Sequence, residues 1–147
     1  MLRLLVRPLL FLALAALTTS ACSDNTLSQL AAASATTTNP STDTFTGTLS
    51  QNGAFTHIFT IQTLGAVTVT IINLSPNTSQ VVGLSLGVWT GASCSTSPAT
   101  GGAANDIATT GSSITLNATA AGNLCARLYD VGFVTQPVLY TVQITHP

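Results

Sequence analysis

The residues able to do chemistry are few and scattered. The 147 residues include three cysteines, two histidines, four acids and three basic groups. Nucleophilic catalysis needs a nucleophile, a base and a group that orients the base. Serine and threonine are plentiful, but His57 and His146 stand apart from each other and from any acid in a triad-like context. A glycosidase needs two carboxylates across one bond. Of Asp24, Asp43, Asp106 and Asp130, the first two fall in or beside a low-complexity stretch. A zinc site needs ligands at close spacing, and neither histidine neighbours a cysteine. Calcium needs clustered acids, and Asn105-Asp106 is isolated. The expectation is a protein that is not an enzyme, with no metal and no cofactor. His57, on an otherwise apolar strand face, reads as a packed or rim histidine rather than a ligand or base. His146, at the C-terminal end, reads as solvated.

Charge is scarce everywhere. Charged residues make up 5% of the chain, against roughly 25% in ordinary globular proteins. The basic residues are Arg3, Arg7 and Arg127. Beyond the first 21 residues only Arg127 is cationic, so the chain cannot neutralise a row of phosphates, and nucleic acid is not an expected partner. Nor is there a basic patch to hold an anionic membrane surface. Arg127 has Asp106 and Asp130 as candidate partners for a structural ion pair, although strand alternation puts Asp130 on the opposite face. Contact with an anion or a glycan is the other role open to it.

Residues 1–21, MLRLLVRPLLFLALAALTTSA, have a positive start, an apolar core from Leu9 to Leu17 and small residues at the end. That is the pattern of a secretory signal peptide. Thr19-Ser20-Ala21-Cys22 resembles the lipobox of bacterial lipoproteins, with Thr19 where leucine is commonest. The resemblance implies that Cys22 is acylated and becomes the new N-terminus. Two or three acyl chains anchor stably, because each buried CH₂ contributes ~0.8 kcal/mol. Thr19 and Ala21 also suit an ordinary signal-peptidase site, which would release a soluble protein. The expected location is the cell envelope, lipid-anchored, in the outer membrane of a host that has one.

Residues 22–43 continue as SDNTLSQLAAASATTTNPSTD after Cys22. They offer little apolar surface to offset the entropy of ordering and read as a flexible linker. As a flexible chain it spans about 25 Å.

Residues 44–147 read as a β domain. With Cys22 acylated, Cys94 and Cys125 remain as a pair in an oxidising compartment, and a disulfide is expected. The 31-residue separation corresponds to roughly 3.5–4 kcal/mol of loop-closure entropy. Short segments alternate apolar and hydroxyl residues with a period of two, broken by turn residues. Val67, Val69 and Ile71 alternate with threonines. Val82, Leu84, Leu86 and Val88 alternate with Gly83, Ser85, Gly87 and Trp89. Glycines at such positions mark places where something packs on the backbone. Phe55, His57, Phe59 and Ile61 share a face. Ala54–Thr63 and Ala66–Asn73 are close enough for a hairpin, and Leu124–Tyr129 with Val138–Thr145 reads as another. The count is seven or eight short strands, which points to an antiparallel β-sandwich, with a small barrel as the second choice.

The order FTGTLSQNG, FTHIFTI, GAVTVTI, GNLCARLYDVG and YTVQIT resembles the bacterial pre-peptidase C-terminal domain over about residues 44–147. That resemblance implies a jelly-roll-like sandwich accompanying secreted proteins. Three roles follow. The first is a structural or interaction module on the cell surface. The second is a glycan-binding module, using Trp89 and Tyr129 on outward faces with Arg127 nearby. The third is an accessory domain for another secreted protein. Packing beneath a loop is the alternative role for each aromatic ring.

Overall fold

Alternation of apolar and hydroxyl side chains decides which face of each strand is buried. The computed structural model describes residues 39–147. The signal region, Cys22 and most of the linker lie outside the described residues.

Nine strands follow in order: β1 (Ser41–Leu49), β2 (Ala54–Ile61), β3 (Gly65–Ser75), β4 (Val82–Trp89), β5 (Cys94–Ser95), β6 (Ala103–Ala108), β7 (Ser113–Ala118), β8 (Gly122–Tyr129) and β9 (Val138–His146). A single 3₁₀ turn, Pro98–Thr100, lies between β5 and β6. One sheet has the order β1-β9-β3-β7; the other runs β2-β8-β4, with β5 and β6 both pairing along the free edge of β4. Every pairing is antiparallel. Apart from the two-residue β5, successive strands β1–β4 switch sheets at each connection, and so do β6–β9. This is the connectivity of a jelly roll, an antiparallel β-sandwich.

The expected hairpins are therefore absent. β2 pairs with β8 and β3 with β7 and β9, so these two consecutive strands lie in different sheets. β8 and β9 are likewise separated. Short connections suited hairpins, but a sandwich also uses short connections to cross from layer to layer, and alternation looks the same in both.

The core lies between the sheets. Ile71, Val67 and Val69 of β3 and Val142 and Ile144 of β9 face Leu84 and Leu86 of β4 and Leu128 of β8. In β3 the register shifts between Ile71 and Asn73. The extra residue, Ile72, is exposed, and Leu74 is turned inward to complete burial. A bulge of this kind extends β3 past the end expected from simple alternation.

The outer face of the β1-β9-β3-β7 sheet is a ladder of threonines. Thr42, Thr145, Thr68 and Thr115 lie side by side across all four strands. The next row is Thr44, Gln143, Thr70 and Ser113, followed by Thr46, Thr141 and Asn73. The hydroxyls of Thr68 and Thr115 are 2.9 Å apart in a cross-strand hydrogen bond. None of these positions is charged.

The C-terminal end is not solvated as expected. Ser41 pairs with His146, so β9 stays paired with β1 to its last residue and with β3 as far as Thr145. Alternation from Val138 then turns His146 inward, where it is 7% exposed. Its Nε2 lies 3.2 Å from Asp43 Oδ2, and its ring lies against Phe59.

Candidate functional site

The outer face of the second sheet is partly covered, and glycine is the reason. A Cβ at Gly87 would collide with the backbone carbonyl of Ser95, and one at Gly83 with the ring of Tyr129. Glycine at both positions lets β4 accept a chain segment at one end and an aromatic ring at the other. The segment is the loop after Trp89. It is held by the Cys94–Cys125 disulfide, whose Cα atoms are 5.8 Å apart. Cys125 is fully buried beneath it.

That loop forms one wall of a cleft of about 580 Å³ at the end of the sandwich. Ala99, Thr100 and Gly101 form the loop side, and the β7–β8 turn with the start of β8, from Thr119 to Asn123, forms the other. Val88, Leu116 and Leu124 contribute its apolar floor, and Trp89 lines it, only partly buried. Asn117 and Asn123 supply amides. Asn123 Oδ1 already accepts a hydrogen bond from Thr60 Oγ1 at 2.7 Å, so its amide N–H groups are the free end. Among the described residues, no ionisable side chain lines the cleft. The loop wall is pre-set by its own bonds. The backbone N–H of Gly102 and the Thr100 hydroxyl both donate to the Ser97 carbonyl, at 2.9 and 2.8 Å.

Tyr129 and Arg127 do not join Trp89. Tyr129 pairs with Gly83 near the start of β4, whereas Trp89 is its last residue. Six residues of strand put them about 20 Å apart. Arg127 does not form the expected ion pair; its guanidinium carbon lies 5.3 Å from the centre of the Tyr129 ring. The reason is the alternation of β8, which gives Arg127 and Tyr129 the same outward face and leaves Asp106 to accept the Tyr129 hydroxyl proton. Burial, then the hydrogen bond and the negative charge of Asp106, push the Tyr129 phenol up to about 12, partly opposed by Arg127. Asp130 serves the turn after β8. Its Oδ1 accepts from the backbone N–H groups of Gly132, Phe133 and Val134, and its Oδ2 from that of Asn52. Slight burial raises its pKa, but these four donors outweigh it and hold the carboxyl below its ordinary value.

His57 is packed between the sheets. Its ring stacks on Phe45 with centroids 4.6 Å apart, and Nε2 is 3.0 Å from the Tyr140 hydroxyl. Burial lowers its pKa. Among the described residues, no three His, Cys, Asp or Glu side chains gather as a metal site. Sequence reasoning singled out Trp89 and the disulfide but missed Asn117, Asn123 and the 99–101 wall. Nothing in one strand's pattern signals which turns meet at the end of a sandwich.

No protein-family model matches the chain, and no curated protein matches it significantly.

Proposed function

We propose that this chain is a non-enzymatic lipoprotein of the bacterial cell envelope that displays a pre-peptidase C-terminal-like jelly roll as an interaction module. Acyl chains on Cys22 anchor it, and the residues between Cys22 and the first strand at Ser41 space the domain from the membrane. In a host with two membranes, Ser23 after the cysteine points to the outer one. The observation that most supports a display role is the threonine ladder. A sheet face dominated by neutral hydroxyl and amide side chains carries no field that would bind polyanions.

The test is the intact mass of the protein from its native membrane fraction. A chain beginning at Cys22 and carrying acyl groups is expected, with Cys22→Ala moving the protein to the soluble fraction. An unacylated chain recovered from the medium would overturn the anchor.

A further inference from the structure

We propose that the cleft at the end of the sandwich binds a neutral saccharide, with Trp89 as the stacking ring and Asn117 and Asn123 as hydrogen-bonding groups. Three observations converge on this class of ligand. The first is size: about 580 Å³ lies within the ~300–1,000 Å³ of clefts that enclose small ligands.

The second is electrostatic. Asp106, Arg127 and Asp130 belong to the Tyr129 cluster and the turn after β8, and Asp43 pairs with His146. Among the described residues, no charged side chain lines the cleft. A charged ligand would lose its hydration there without gaining a counter-ion. The partner must be neutral.

The third is the kind of wall. An aromatic ring beside primary amides and hydroxyls is what a sugar needs, since a pyranose has an apolar face and a polar edge. Small residues such as Ala120, Ala121 and Gly122 line the remaining wall, so backbone groups are within reach of a ligand. The disulfide and the Ser97 bonds fix the loop wall before binding, which lowers the ordering cost of association.

The glycan site therefore differs from the one expected from sequence: Tyr129 and Arg127 are outside it. The proposal deepens the interaction-module reading, and rests on it only for the cleft facing outside the cell.

The test uses the purified full-length protein, extracted in detergent or recovered from the medium. Cellohexaose, xylohexaose, mannohexaose, maltohexaose and N-acetylchitohexaose are titrated while tryptophan emission and heat of binding are followed. The chain has one tryptophan, so emission reports on Trp89 alone. Binding of at least one glycan with a blue shift is expected. Trp89→Ala and Asn117→Ala should each weaken it about tenfold or more, and Arg127→Gln should leave it unchanged. Asn117 is exposed on β7, so that variant folds even if Trp89→Ala does not. Failure of every glycan to bind, binding indifferent to both substitutions, or preference for an alkyl detergent or fluorescent apolar dye in the cleft would overturn the assignment. Recovery of an unacylated protein that still binds would sink the anchor and leave the cleft standing.

Discussion

Removing the Cys94–Cys125 bridge, by reductant or as Cys94→Ala/Cys125→Ala, should lower stability substantially. The closed loop spans 31 residues, and loop-closure entropy for that length is about 3.7 kcal/mol. The folded state offers little to replace it. β5 is held to β4 by only two register pairs, Val88 with Ser95 and Trp89 with Cys94. A further tie is the close fit of the Ser95 carbonyl against Gly87, beside hydrogen bonds between Thr90 and Ser93. For a domain of this size roughly 4 °C accompanies each kcal/mol, so Tm should fall by about 15 °C in calorimetry at neutral pH. Tryptophan emission should change as well, because Cys94 lies opposite Trp89 in register. A fall of less than about 3 °C would refute the reasoning, since even local fraying of the loop leaves the entropy gain of the unfolded chain in place.

Three further outcomes follow from named contacts. Gly87→Val drives side-chain atoms into the Ser95 backbone, which cannot rotate away, and should cost about 1–3 kcal/mol; an unchanged urea midpoint would mean the loop does not rest on β4. Burial holds His57 below its ordinary 6.5, so the folded protein binds fewer protons than the unfolded chain. The stability from neutral His57 is complete above that value and lost as pH falls through the lowered one. The urea-midpoint gap between wild type and His57→Gln should therefore shrink from neutral pH towards about 5; parallel curves would remove His57 as a source. The Tyr129 phenol should titrate by absorbance near 12, and in Asp106→Asn move down towards 10. The stabilisation from protonated Tyr129 is present below 10 and lost as pH rises towards 12. A Tyr129 titration unaffected by Asp106→Asn would deny the hydrogen bond.

Much of the fold was legible because strand burial repeats every two residues. Val67, Val69 and Ile71, and Val138, Tyr140, Val142 and Ile144, fell on the buried face as the pattern required. Gly83 and Gly87 were correctly marked as places of close approach. The bulge at Ile72 was not legible, because an extra residue only appears as such against a partner strand. His146 was misplaced because a position at the end of the chain says nothing about whether the last strand is an edge or sits between two others. For the same reason Asp43, read as the last residue of the linker, proved to be part of the first strand, which begins at Ser41.

The amino-acid sequence by itself determined the class of structure, the faces of the strands and the disulfide. These depend on local periodicity and on the small number of cysteines, and both are properties of a single chain read in order. Only the tertiary structure decided that neighbouring strands belong to different sheets, that Trp89 and Tyr129 lie about 20 Å apart rather than in one site, and that the β7–β8 turn and a disulfide-held loop flank a cleft lined, among the described residues, by no charged side chain. Those facts depend on which distant strands pair. Pairing is settled by the packing of the whole core, where any one strand's alternation fits several partners equally well.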